Sequence, residues 1–147
     1  MNKETREKLL DAFYAKCRES RLSVTPQRLA IYKTLIGNKE HPSPEMIFKD
    51  VQSQFPMISF ATVYKTLETF EQNGIVSKVT HLHNTLRYDP MTEQHHHIVC
   101  KRCKKIIDID STEIETLKIP SQVTKDHIFI DYDVHFNVIC AECKMKE

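Results

Sequence analysis

The sequence predicts an α+β protein in two parts, a helical first half and a second half rich in cysteine and histidine. Three observations support this prediction. Apolar residues recur at helical spacing behind clear helix starts up to residue 74. Residues 75–89 change to two short apolar segments with a polar turn, which is typical of a β-hairpin. Four of the five cysteines and seven of the eight histidines lie after residue 80.

The first two predicted helices are marked by an apolar stripe and by a capped start. From Lys3 to Ser20 the apolar residues lie three or four positions apart and share one face: Leu9, Leu10, Phe13 and Cys17. Thr25-Pro26 predicts the start of the second helix, because threonine caps free amides and proline at the first position loses no hydrogen bond. Gly37-Asn38 predicts its end.

Two further helices are predicted from the same kind of start and end residues. Ser43-Pro44 repeats the capped start, and Pro56 interrupts the helix that it opens. Ser59 opens the next helix and Gly74 closes it. Its predicted buried side consists of Phe60, Val63, Leu67 and Phe70. Several short helices with brief connections are the ingredients of a helix-turn-helix.

A predicted hairpin directly follows these helices. Its strands are Ile75–Thr80 and Leu86–Asp89, joined by the polar turn His81–Thr85. Helices followed by a hairpin indicate a winged helix, whose last helix enters a DNA major groove. The outward residues of that helix are Ala61, Thr62 and Lys65, with Tyr64 at the flank. A plain helical subdomain fits the same pattern, so the pattern alone leaves DNA binding open.

Composition excludes several classes of protein. The formal net charge is only +1, which argues against a general polyanion binder but leaves room for a local basic face. The low count of two glycines, with no GxGxxG or GxxxxGK(S/T) motif, disfavours a glycine-rich loop that cradles phosphates. Without a long apolar run or a signal-like N-terminus, we expect a cytoplasmic protein that does not bind membranes.

The strongest chemical signal is a pair of CxxC motifs, Cys100/Cys103 and Cys140/Cys143, with 36 residues between them. Four thiolates in this spacing predict a tetrahedral zinc site with no open position, which is a structural site. A disulfide pair or a redox CxxC is the alternative; the missing signal peptide weakens the first, and the matched pairs weaken the second. Cys17 lies on an apolar stripe and is expected in the core.

A second candidate set carries nitrogen and oxygen donors only. His95 and His97 alternate just before the first CxxC, so in a strand they share a face, whereas His96 points away. Asp89 lies upstream and Asp108 follows Cys103 by five residues. Such donors suit Fe²⁺, Mn²⁺ or Zn²⁺, so ligand type does not select the metal. Surface histidines and aspartates without an ion remain the alternative.

The combination of these motifs resembles the ferric uptake regulator (Fur) family of metal-dependent bacterial repressors. The resemblance covers roughly residues 9–144 in the expected order. The matching stretches are Thr25–Arg28, Ser59–Leu67, Gly74–Val76, Arg87–Asp89, His95–Cys103 and Cys140–Cys143.

The resemblance implies two domains with different functions. A winged-helix DNA-binding domain would occupy residues 1–90, with a hinge near 87–92, and an α/β dimerisation domain residues 93–147. The dimer would read an A·T-rich inverted repeat in double-stranded DNA. The implied DNA contacts are Arg28, Ser59, Thr62, Tyr64 and Lys65. The four cysteines of the CxxC pairs would hold the structural Zn²⁺.

The resemblance also implies a regulatory Fe²⁺ or Mn²⁺ site that joins the two domains. Its implied ligands are His41, Asp89, His95, His97 and Asp108. One ion bonded from both sides would hold the DNA-binding domains at the spacing of two half-sites. Metal would then shift the population toward the DNA-competent state.

Asp108 is similar to the aspartate of the peroxide-sensing branch of the family, PerR, where iron sensors usually carry glutamate. In that branch H₂O₂ reacts at bound Fe²⁺ and oxidises a ligating histidine, which releases the repressor; the implied targets are His41 and His95. The chain departs from the family pattern at His96, where Tyr or Asp is common and which offers an alternative ligand. Lys65 stands where Arg is common.

Three functions other than a peroxide-responsive repressor are compatible with part of the sequence. An iron- or zinc-responsive repressor of the same family is the nearest alternative. A zinc hydrolase is a second alternative, but the sequence contains no HExxH and no separate general-base motif. We therefore expect that the protein is not an enzyme. A metal buffer would not need the capped helices of the first half.

Overall fold

The computed structural model describes residues 2–38, 41–79, 86–92, 95–109, 112, 114 and 116–146. It divides into two compact units, Met1–Thr92 and Glu93–Glu147. Helices dominate the first unit and a mixed sheet the second, so the α+β prediction is confirmed. No helix in the described part of the chain is long and apolar enough to cross a membrane.

The described part of the first unit contains four helices, and the last three begin where the capping residues predict. They are α1 Lys3–Glu19, α2 Pro26–Gly37, α3 Pro44–Gln52 and α4 Phe60–Gln72. The side chains of Thr25, Ser43 and Ser59 each accept a hydrogen bond from a backbone amide three residues later. These caps satisfy amides that a helix start leaves without partners, which fixes the boundaries locally.

A two-stranded antiparallel hairpin follows α4. Its strands are β1 Ser77–Val79 and β2 Arg87–Asp89, with Lys78 opposite Tyr88. Both strands are shorter than predicted. Thr80 and the predicted turn His81–Thr85 lie outside the described residues. Three helices and a hairpin in this order form the winged helix that the sequence indicates.

The core of the first unit joins α1, α2 and α4 through aromatic rings. Phe13 stacks on Tyr32 with ring centroids 4.3 Å apart, and Phe70 meets both rings edge-on. Cys17 lies in this core at 1% exposure, as predicted. The prediction for Phe60 is wrong, because this ring is 39% exposed at the first position of α4. It packs edge-on against Phe48 at the rim of the core.

This difference in burial gives a stability prediction. Phe70→Ala is expected to lower the free energy of unfolding by about 3–5 kcal/mol, because it empties a fully buried aromatic site. Phe60→Ala, the matched control, is expected to cost only about 1 kcal/mol. Urea denaturation followed by the helical circular dichroism signal measures both. Equal losses would show that the core is not centred on these rings.

The second unit is built on a three-stranded sheet. Its strands are β3 His96–Cys100, β4 Ile106–Ile109 and β5 His135–Val138, in the order β4-β3-β5. β4 runs antiparallel to β3, and β5 runs parallel to it. Among its described residues the unit also has two short helices, α5 Ser121–Thr124 and α6 Ala141–Met145. The sheet aligns the ends of β3 and β5, and this alignment positions the cysteines.

Candidate metal centres and nucleic-acid interface

The four cysteines of the CxxC motifs meet because β3 and β5 are parallel. Cys100, the last residue of β3, is the register partner of Val138, the last residue of β5. Cys140 follows two residues later and precedes α6, which carries Cys143. Parallel neighbouring strands end at the same edge of a sheet, so both CxxC motifs reach the same place.

The sulfur positions fit one tetrahedral ion. The Sγ atoms of Cys100 and Cys143 are 3.9 Å apart, and those of Cys103 and Cys140 are 3.7 Å apart. All four ligand atoms lie within 4.8 Å of one another. Four sulfurs at about 2.3 Å from a central Zn²⁺ lie about 3.8 Å apart. None of the four forms a disulfide, so the geometry supports the zinc interpretation.

Backbone amides prepare one of these sulfurs as a thiolate. The amides of Cys140 and Cys103 each donate to the Cys100 Sγ at 3.4 Å, and they lower the pKa of Cys100 to about 5. Desolvation, reinforced by the neighbouring thiols, raises the pKa of Cys143 to about 12. Opposite shifts are expected where thiols crowd together, because each negative charge disfavours the next. A bound cation offsets the repulsion between these negative charges.

A second cluster on the same sheet combines two imidazoles and a carboxylate. Asp108 on β4 is the register partner of His97 on β3, so their side chains share a face. The Asp108 Oδ1 lies 3.2 Å from the His95 Nε2 and 3.3 Å from the His97 Nε2. The two Nε2 atoms lie 3.1 Å apart. His95 lies one residue before the start of β3, and its imidazole lies beside that of His97, as the sequence predicts.

This triangle of donor atoms fits a metal ion better than a set of hydrogen bonds. Each neutral imidazole nitrogen either carries one proton or accepts one, so hydrogen bonds satisfy at most two of the three edges. Three donors at about 2.1 Å from an ion, mutually at right angles, lie about 3.0 Å apart. Two histidines and one carboxylate on one face of an ion are typical of non-haem Fe²⁺ sites.

A buried imidazole–carboxylate pair lies in the first unit. The His41 Nδ1 is 3.5 Å from the Asp89 Oδ2, and the two side chains are 3% and 1% exposed. The other oxygen of Asp89 accepts a hydrogen bond from the Met91 amide at 2.8 Å, which fixes the rotamer of the carboxylate. This pair offers one nitrogen and one oxygen donor, the same chemistry as the triangle of His95, His97 and Asp108.

His96 lies on β3 between the two histidines of the triangle. Its Nδ1 accepts a hydrogen bond from the Val134 amide at 3.0 Å, and its ring stacks on Tyr132. Its exposure is 4%. These contacts give His96 a packing role and occupy the nitrogen that faces Val134.

Three of the five residues expected to contact DNA lie in a groove between α2 and α4, which has a volume of about 350 Å³. Arg28, Thr62 and Lys65 line it, whereas Ser59 and Tyr64 do not. The Ser59 Oγ lies 2.9 Å from the Thr62 Oγ1, at the exposed start of α4. The Arg28 Nη1 donates to the Ser23 carbonyl at 2.7 Å, which anchors the guanidinium beside the groove.

Sequence reasoning did not single out Gln27 and Thr69, which also line the groove. The signal for Thr69 was present, because positions 62, 65 and 69 recur at helical spacing on the outer face of α4. Gln27 follows the capped start of α2, and its place in the groove depends on how α2 packs against α4.

The sequence is similar to known proteins over most of its length. The model of the Ferric uptake regulator family matches residues 19–136. The peroxide-responsive repressor PerR of Staphylococcus epidermidis is 33% identical over 135 residues, which cover 92% of this chain and 90% of that protein.

Solved structures show the same fold. The ferric uptake regulator from Francisella tularensis, determined with iron, is 31% identical at a TM-score of 0.68, covering 84% of this chain and 95% of that one. The Helicobacter pylori ferric uptake regulator, at 24% identity, is similar in fold with a TM-score of 0.70, over 95% of this chain and 93% of that one. The family match and the PerR relative cover most of the sequence, and this chain belongs to the ferric uptake regulator family.

Proposed function

We propose that this protein is a metal-dependent transcriptional repressor that responds to hydrogen peroxide. It binds an A·T-rich inverted repeat as a homodimer while its regulatory metal is bound, and it leaves DNA when a ligating histidine is oxidised. The observation that carries the proposal is the triangle formed by His95, His97 and Asp108, whose donor set is typical of Fe²⁺.

The metal sites have separate roles in this proposal. The four cysteines hold a structural Zn²⁺, because four thiolates leave no open position for chemistry. The triangle holds the regulatory Fe²⁺ or Mn²⁺ together with His41 and Asp89 of the first unit. An ion that takes ligands from residues 1–90 and from residues 93–147 restrains the hinge near 87–92. Metal therefore favours the arrangement that matches two DNA half-sites.

DNA binding is assigned to the first unit. The start of α2 and the exposed face of α4 form the groove that Arg28, Thr62 and Lys65 line. Ser59 caps α4 and Tyr64 lies on that helix, and we propose both as further DNA contacts outside the groove. Lysine at position 65 supplies a point charge for a phosphate or a base edge. The second unit, residues 93–147, is the dimerisation domain of the proposal.

Peroxide sensing follows from the redox chemistry of the regulatory metal. Fe²⁺ held by the proposed ligands would supply the one-electron chemistry that opens the O–O bond of H₂O₂, and it would return to Fe²⁺ at the end. His41 and His95 are the proposed targets. In the balanced reaction one imidazole loses two electrons to H₂O₂: one peroxide oxygen is inserted at C2, so that C2–H becomes C2=O with the hydrogen moved to a ring nitrogen, and the other oxygen leaves as water. The altered ring is a poorer ligand, so the two units lose their shared ion.

Asp108→Glu tests the peroxide assignment. We expect the variant to keep Mn²⁺-dependent DNA binding but to lose most of its histidine oxidation, because a longer carboxylate changes its placement beside His95 and His97. Mass spectrometry of peptides after Fe²⁺ and H₂O₂ measures the gain of one oxygen on His41 or His95, with Mn²⁺-loaded protein as the control. The same oxidation in both proteins would remove the reason for placing this chain in the PerR branch rather than among iron sensors.

Oxidation confined to the four cysteines, with release of zinc, would favour a thiol-based sensor instead. An iron- or zinc-responsive repressor remains the second candidate. It predicts metal-dependent DNA binding without any oxidised histidine.

A further inference from the structure

Strand β2 holds the segment His41-Pro42 through three consecutive residues. The Asp89 carboxylate faces the His41 imidazole at 3.5 Å, and the Tyr88 amide donates to the Pro42 carbonyl at 3.3 Å. The Arg87 Nη1 donates to the His41 carbonyl at 3.3 Å. We call these three contacts the β2 clasp. Two of them reach His41, one at its side chain and one at its backbone, and the third reaches the next residue, Pro42.

The backbone conformation of His41 explains why these contacts are needed. Its φ angle is +54°, in the left-handed region that residues other than glycine rarely adopt. The next residue is a proline, which restricts the residue before it further. An uncommon conformation persists only where the surroundings hold it, and such positions cluster at functional sites. His41 therefore depends on its contacts for the direction of its imidazole.

Arg87 is the member of the clasp that is neither a proposed ligand nor a backbone group. Its guanidinium also lies 3.5 Å from the Met46 Sδ on α3, so it ties the His41 carbonyl to the helix that follows the segment. The side chain is half-buried. A hydrogen bond to a carbonyl does not alter the donor atoms of the imidazole, but it fixes the peptide plane from which the imidazole projects.

We propose that Arg87 is a positioning residue for the regulatory metal site, which it serves by holding His41 in its left-handed conformation. The inference rests on the proposed function, because it takes His41 to be a ligand. Without the Arg87 contact the segment relaxes toward a common backbone conformation, and the imidazole turns away from Asp89. Binding of the regulatory ion then includes the cost of restoring that conformation, so affinity falls although every ligand is present.

A double-mutant cycle in the zinc-loaded protein tests this inference, with Mn²⁺ affinity as the readout. Arg87→Ala is expected to weaken Mn²⁺ binding about tenfold in the otherwise unchanged protein, as for other residues that orient a ligand. In the His41→Ala background the same change is expected to have little effect, since the histidine through which Arg87 acts is gone. Arg87→Lys keeps a donor for the carbonyl and should recover most of the affinity. Lys78→Ala, which removes a cation from the same hairpin, is the control.

The outcomes separate the inference from the proposed function. An equal loss from Arg87→Ala in both backgrounds, or no loss in either, would overturn the role of Arg87 while leaving His41 as a ligand. Unchanged Mn²⁺ affinity in His41→Ala alone would instead refute the ligand assignment and the role of Arg87 with it.

Discussion

His97→Ala is expected to abolish the effect of Mn²⁺ on DNA binding. The His97 Nε2 lies within 3.3 Å of both other donor atoms of the triangle, and strand pairing fixes its place because its register partner on β4 is Asp108. Loss of a ligand should weaken Mn²⁺ binding by at least the roughly 10–100-fold that loss of an orienting partner costs. Isothermal titration of Mn²⁺ and a DNA-binding assay on the same preparation measure both effects.

His127→Ala is the matched control for this experiment. His127 is exposed and belongs to neither cluster, so its removal should leave Mn²⁺ affinity and DNA binding unchanged. Zinc content should be the same in both variants, because neither residue contacts the four cysteines in our account. Normal Mn²⁺ affinity in His97→Ala would show that the triangle is not the regulatory site.

Cys100→Ser is expected to remove the structural zinc and to unfold the second unit. The Cys100 Sγ is one of four clustered ligand atoms, and two backbone amides stabilise it as a thiolate. Structural zinc contributes about 10–16 kcal/mol in small zinc domains, so its loss exceeds the stability of most domains. Zinc content by atomic absorption and the thermal unfolding of the sheet measure the result.

Cys17→Ala is the control for the zinc experiment. It removes a buried thiol from the core of the first unit, so it should lower stability modestly and leave one zinc per chain. A Cys100→Ser protein that retains stoichiometric zinc and unfolds like the unchanged protein would contradict a four-thiolate site.

Local rules in the sequence were sufficient for the helix starts and for part of each metal cluster. Thr25, Ser43 and Ser59 cap helices through contacts with amides three residues later, so the start of each helix can be predicted from a short stretch of sequence. Alternation along an extended segment likewise predicts that His95 and His97 share a face; His95 lies directly before β3 and His97 lies on it. The spacing within each CxxC motif is likewise local.

Contacts between distant segments could not be read in this way. The meeting of Cys100 with Cys140 depends on the parallel register of β3 and β5, and Asp108 reaches His97 only because β4 pairs in one register. A one-residue slip would move Asp108 to the other face. Phe60 is exposed because it is the first residue of its helix. At a helix end, apolar residues at helical spacing are less buried than the spacing predicts. The left-handed backbone of His41 has no local signal such as glycine.

Whether metal controls DNA binding is tested by measuring how tightly the protein binds a duplex with an A·T-rich inverted repeat, with and without Mn²⁺. We expect Mn²⁺ to raise the affinity by roughly 5–150-fold, the usual range for coupling between two sites, and to have no such effect on a duplex with one scrambled half-site. Equal affinity with and without Mn²⁺ would contradict the account.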